Sequence, residues 1–346
     1  MDTLDVGSNI HALQAARSED AIGLVAIGTD HSLEVVIIVE RTIKSIASFH
    51  IGSRVTSLTF SPRTVSPSFS DDWFIELAVA SADFGLHLLT QSRNGDQEIY
   101  RFGAGLSGHH GRVNDITFCG GKGEDSIRYL ATVGDDKMLM VWDLYPGPGI
   151  VDSSGVLGSS SPPPRLQPTA YVIAFPHPLT TVSAHPSSSK EFLVSDARGC
   201  LFLTDWRSND EDEDWRMIEL IEPHALSSMN PAIPGDNSDI IGAVYSSRYS
   251  LWDISRLQGG KPVTGPTFPQ GGHRFRWCPT IPEHFAISTQ SPSKGATVAV
   301  YTTARHAPQT ISLAPRPHFV RDFDWLGNSI VAAIGRKLVV VEVRME

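Results

Sequence analysis

Short apolar runs, paired and separated by a tight turn, recur along the whole chain. LVAIGTDHSLEVVIIV (24–39), LAVASADFGLHLLT (77–90), LATVGDDKMLMVWD (130–143) and FLVSDARGCLFLTDW (192–206) are four of them, and IIGAVYSSRYSLWD (240–253), FAISTQSPSKGATVAVYT (285–302) and IVAAIGRKLVVVEV (330–343) make seven. Each is too short and too rich in β-branched residues for a helix, and its first run ends in a small residue followed by a turn of three to five residues, so each predicts a strand hairpin. Ahead of most copies lies another strand with alternating polarity: RVTSLTFSP (54–62), RVNDITF (112–118), LTTVSAHP (179–186), HRFRWCP (273–279) and FVRDFDWLG (319–327). Seven copies predict seven small antiparallel sheets.

One copy is nearly complete. LSGHHGRVNDITFCGGKGEDSIRYLATVGDDKMLMVWDL (106–144) resembles a WD repeat. The resemblance implies a buried hydrogen-bonded chain from the Trp142 indole to the Thr132 hydroxyl, the His109 imidazole and the Asp136 carboxylate. It also implies a structural role for these residues, since a satisfied buried polar chain specifies one arrangement of its sheet. Such repeats cover one another's faces in a ring. The expected fold is therefore all-β, a seven-bladed WD-repeat β-propeller occupying residues 1–346 as a single domain. The last copy stops short of a fourth strand, so residues around Thr3 to Val6 are expected to supply it and close the ring. The other blades, lacking the complete polar set, are expected to rely on apolar packing alone.

Third strands end at Val39, Thr90, Trp142, Trp206, Trp252, Tyr301 and Glu342, intervals near the roughly 40–45 residues of a WD repeat or longer by a loop. The widest contains Tyr145 to Pro168, rich in Gly, Ser and Pro, which reads as an insertion between the third and fourth strands of blade three. SNDEDEDW (208–215) reads as an acidic loop, and ALSSMNPAIPGDNSD (225–239) as a loop between the first two strands of blade five.

Composition removes several function classes. Net charge is −10 and no linear cluster of Lys and Arg occurs, so direct nucleic-acid binding is not expected. Cys119, Cys200 and Cys278 form no CxxC pair, and the 13 histidines are scattered, so no metal site is expected. The N-terminus lacks the pattern of a secretory signal and no apolar run spans a bilayer, which predicts a soluble intracellular protein without membrane insertion. No nucleophile elbow or phosphate loop is present, so neither catalytic residues nor cofactor are expected. His50 is read as a degenerate structural counterpart of His109. Trp73, Trp206, Trp215, Trp277 and Trp325 are read as core or strand-end aromatics, any of which at a rim could anchor a partner.

FHIGSRVTSLTFSP (49–62), the repeat at 106–144, SLWDIS (250–255) and FRW (275–277) are similar to segments of the small WD-repeat nucleoporins of the Y-shaped nuclear pore scaffold. The insertions at 145–168 and 208–215 depart from that family. The resemblance implies a non-enzymatic adaptor in the outer rings of the nuclear pore, at the nuclear envelope. Its partners would be the large propeller–solenoid nucleoporin of the Y-complex short arm and other Y-complex subunits; pore assembly, nucleocytoplasmic transport and mRNA export would depend on it. A different class is a peptide-reading propeller, either a ubiquitin-ligase substrate receptor or a histone-tail reader. Substrate receptors resemble one another in an Arg two residues after Trp-Asp, whereas Tyr145 and Ser255 stand there. A phosphoinositide-binding propeller carries adjacent arginines, which Phe275 separates here.

Overall fold

The computed structural model describes residues 1–146, 167–207, 216–218, 226–229, 240–253, 261–304 and 307–344. They form seven four-stranded antiparallel sheets, the blades of a seven-bladed β-propeller. From the central channel outward, blade one comprises Ala12–Ala15, Leu24–Gly28, Ser32–Val39 and Thr42–His50. Blade two comprises Val55–Phe60, Phe74–Ser81, Leu86–Ser92 and Gln97–Phe102. Blade three has Val113–Phe118, Tyr129–Gly134, Met138–Asp143 and Thr169–Ala174. Blade four has Leu179–Ala184, Glu191–Asp196, Leu201–Asp205 and Arg216–Ile218. Blade five runs through Leu226–Met229, Ile240–Tyr245, Arg248–Asp253 and Val263–Pro266, and blade six through Phe275–Trp277, His284–Ser288, Ala296–Thr302 and Gln309–Ala314.

Blade seven takes its inner strands from Asp322–Leu326, Ser329–Ile334 and Lys337–Glu342, and its outer strand from Asp2–Asp5. Asp2 lies opposite Val340 and Asp5 opposite Lys337. The closing strand thus sits one residue earlier than the sequence suggests, and Val6 continues the pairing through its N–H to the Arg336 carbonyl at 3.0 Å.

The apolar cores lie between blades rather than within them. On Leu24–Gly28, Leu24 and Ala26 pack toward blade two, whereas Val25 and Ile27 pack toward Val331, Ala333 and Leu338 of blade seven. Burial on both faces explains why the middle strands read as unbroken apolar runs. The innermost strands carry a second set of fasteners, polar ones. Asp322 and Asp324 of blade seven accept the Leu13 and Ala15 N–H groups of blade one, both at 3.0 Å. Gln14 accepts the Phe60 N–H at 2.9 Å, and Asp115 of blade three accepts the Val182 N–H at 3.1 Å. Each places a side chain of one blade on the backbone of its neighbour, satisfying channel-facing donors that no strand covers.

The stretch 225–239 differs from its reading as a loop. Leu226–Met229 is the innermost strand of blade five, while residues 230–239 lie outside the described residues. Its sequence, LSSM, offers too little apolar alternation to stand out. Tyr145 to Pro168 does connect the third and fourth strands of blade three, although only its ends are described. The acidic run 208–215 falls wholly outside the described residues.

Candidate interaction surfaces

The structure brings His109, Thr132, Asp136 and Trp142 into one chain. The Trp142 indole N–H donates to Thr132 Oγ1 at 2.9 Å, Thr132 Oγ1 lies 2.7 Å from His109 Nε2, and His109 Nδ1 lies 2.8 Å from Asp136 Oδ2. An indole can only donate and an ionised carboxylate can only accept, so the two ends set the direction of every proton between them. His109 Nδ1–H donates to Asp136, and its Nε2 accepts from the Thr132 hydroxyl. Burial pulls the Asp136 pKa upward, but hydrogen bonds from His109 and from the His110 and Met138 amides outweigh it and hold the carboxyl below its ordinary value. The Trp142 ring is buried against Phe102 at 5.4 Å, edge to face, so the chain is closed off from ligands.

A depressed folded-state pKa stabilises the fold above the unfolded value of about 3.9, and that contribution disappears as pH falls through the folded value. Urea midpoints of the wild type and Asp136→Asn are therefore expected to differ most between pH 5 and 7, and to converge below about pH 4. A gap independent of pH would remove the carboxylate from this account.

Neighbouring blades do not rely on apolar packing alone. In blade two, the Ser81 hydroxyl donates to Asp83 at 2.5 Å and lies 3.1 Å from His87 Nε2, and Arg101 holds Asp83 at 2.7 Å. Burial, reinforced by Arg101, lowers the His87 pKa. His87 is thus the buried histidine of this blade. His50, exposed at the end of the outer strand of blade one, is not a counterpart of His109. Spacing from the next strand, the signal behind the His50 reading, does not distinguish the outer edge from the blade interface.

Trp277 and Trp325 are fully buried, Trp206 nearly so, and Trp73 is half-buried; Trp215 lies outside the described residues. Trp206 is capped by the Arg207 guanidinium, 4.6 Å above its ring, and flanked by Tyr129 and Tyr171 at 4.9 and 5.1 Å. The exposed apolar groups there are Tyr171 and Val172, on the outer strand of blade three.

Because every blade has the same strand order, all turns joining second to third strands, and all links from one blade to the next, open on one face of the disc, here the upper face. Arg54, Arg112, Lys137, Arg198, Lys294 and Arg316 stand on these turns and links. All six are exposed, and none makes an ion pair with another described residue. Among the described acidic groups of the same face, Asp30 is engaged by His11 at 2.7 Å, Asp83 by Arg101, and Asp136 by His109, whereas the exposed Asp135 takes only an amide hydrogen bond from Asn114. At the channel mouth, Arg274 and Arg276 lie 3.5 and 3.6 Å from Asp322, and burial together with these arginines and Arg321 pushes the His273 pKa down to about 3. The upper face therefore presents cations without a partner among the described residues, on a chain whose total charge is −10. Sequence inspection misses this because each blade contributes one or two cations, separated by whole strands. Mapping charges onto turn positions after assigning the blades recovers it.

No family model matches the chain, and no curated protein matches it. Solved structures match in number, 910 chains, as an abundant architecture does, which leaves function open. One is Raptor of Chaetomium thermophilum, similar with a TM-score of 0.70 and 13% identity over 100% of this chain. The chain spans 29% of that protein's length, less than a third. The likeness is one of fold.

Proposed function

We propose that the chain is a non-enzymatic adaptor that holds other proteins together, and that its assembly is the outer ring of the nuclear pore, where it binds the large propeller–solenoid nucleoporin of the Y-complex short arm. The observation that carries the adaptor reading is the set of exposed cations on the upper face without partners in the described chain, displayed on a rigid closed ring. Such a face suits an acidic surface or segment, because complementary potentials raise encounter rates and fix orientation. The placement at the pore rests on the resemblance of residues 49–62, 106–144, 250–255 and 275–277 to the small WD-repeat nucleoporins. Nucleocytoplasmic transport and mRNA export would then depend on the chain through pore assembly. Among peptide readers, a histone-tail reader is disfavoured on this face, since a cationic tail would meet like charge.

A constitutive contact of this kind buries at least about 1,000 Å². The chain and the short-arm nucleoporin of the same organism, mixed at micromolar concentration, are expected to elute as one peak in gel filtration. Reversing Arg112 and Arg198 to Glu is expected to raise the elution volume toward the free proteins, most at low salt, with the difference from the wild type shrinking as salt increases. Two separate peaks for the wild type would end the nuclear pore reading. Recovery of a different complex by affinity purification would keep the adaptor and change its assembly.

A further inference from the structure

Away from the upper face, a lateral cleft of about 430 Å³ opens between blades two and three. Its floor is the face of blade two that turns toward blade three. Glu76 pairs with Thr90, and Thr90 with Glu98, so three adjacent strands place these side chains in one row. Phe74 and Ser92 form the next row, with Asp96 beyond. Arg63 and Tyr145 complete the wall. Three carboxylates thus face one guanidinium.

Glu76 is the unusual member. Its side chain is 1% exposed, and only one carboxylate oxygen is served. The Tyr145 hydroxyl donates to Oε2 at 2.8 Å, and Arg63 stands 3.7 Å from the same atom. Oε1 is buried with no hydrogen-bond partner. Leaving a buried charged acceptor without a donor costs more than the ordinary desolvation penalty of about 1–3 kcal/mol, so such a group in a cleft points to a missing donor. Arg63 shows what chemistry the walls accept: its guanidinium lies 5.4 Å from the Phe74 ring centre and 5.8 Å from that of Tyr145. Half-exposed itself, it can swing outward to admit a second cation.

We propose that this cleft is a binding site for a lysine side chain presented by a basic segment of a partner protein. The ammonium would donate to Glu76 Oε1 and to the exposed Glu98, with its methylene stem along Phe74 and Tyr145. A compact ammonium with three donors suits carboxylates converging from different strands better than a planar guanidinium does. The site is independent of the adaptor reading: it faces sideways, attracts the opposite charge and needs no pore component.

The test uses the full chain and a fluorescein-labelled peptide with one lysine among Gly and Ser residues, followed by anisotropy at low salt. The lysine peptide is expected to bind, and its acetyl-lysine and norleucine forms to bind about tenfold more weakly, as loss of a charge-assisted hydrogen bond predicts. Glu98→Gln, on the surface of an outer strand, is expected to weaken binding while leaving the thermal midpoint near that of the wild type; Tyr145→Phe and Glu76→Gln are also expected to weaken it and are read only if their midpoints are retained, since each disturbs the buried Glu76 contact. Equal binding of the lysine and acetyl-lysine peptides would overturn the proposal. So would unchanged binding by Glu98→Gln and Tyr145→Phe, or binding lost on deletion of 147–166. Spermidine competing at lower concentration than the peptide would overturn the peptide as occupant and leave a polyamine site.

Discussion

Replacing Trp142 with alanine is expected to lower the free energy of unfolding by about 3–5 kcal/mol, read as a fall in the urea midpoint at constant slope. Trp142 is 1% exposed, and its ring fills the core between blades two and three beside Phe102, Val113, Ile116 and Met140. The neighbouring backbone is shaped around it. Gly103 has φ +62°, and a Cβ there would stand 2.9 Å from Trp142 Cη2. Truncation leaves a cavity bounded by rigid strands, and it also strips the Thr132 hydroxyl of its indole donor. Trp142→Phe separates the two effects, because it keeps most of the ring and loses only the N–H; a loss of about 1–2 kcal/mol is expected from it. If alanine and phenylalanine cost the same, the hydrogen-bonded chain rather than packing governs this blade. If neither costs more than about 1 kcal/mol, the core is not closed at this interface.

Removing residues 1–6 is expected to cost about 3–5 kcal/mol, through lost strand pairing and the lost burial of Leu4 and Val6, and to make the protein aggregate. Without them, Lys337–Glu342 becomes an open edge with unpaired N–H and C=O groups, an invitation to pair with another chain. The Asp322 and Asp324 bonds to Leu13 and Ala15 remain, so the truncated ring should stay closed at its centre while open at its rim. Light scattering should show aggregation rising with concentration, and a peptide of residues 1–10 added in trans should suppress it. A truncated chain that stays monomeric with an unchanged midpoint would show that the outer strand contributes little to closure.

These two sites also mark what the sequence makes legible. The second and third strands of all seven blades are readable because both faces are buried, giving apolar runs such as LATVG and MLMVW with turn residues between. The hydrogen-bonded set around Trp142 is readable because its members sit at fixed distances from one another within one repeat. The innermost strands of blades one and five, ALQA and LSSM, are not. They line the channel, where Gln14 needs to reach the next blade rather than fill a core. The two candidate surfaces escape for another reason. Arg54 and Arg316 are ordinary turn residues until the ring brings their turns to one face. Glu76, inside FIELAVAS, reads as a single polar interruption until Thr90 and Glu98 are aligned beside it.

The closing strand has a consequence for how the molecule is made. Asp2–Asp5 is synthesised long before the strand it joins, because Asp2 pairs with Val340 and Asp5 with Lys337. Blades two to six can each settle on a predecessor already synthesised, whereas Asp2–Asp5 waits until Lys337–Glu342 has been made. During that interval Asp2–Asp5 is a free strand and blade one has one naked face. Long waiting with non-local pairing favours misassembly between nascent chains. Polysomes crowded on one message would thus be where two copies of this protein are most apt to exchange their first strands.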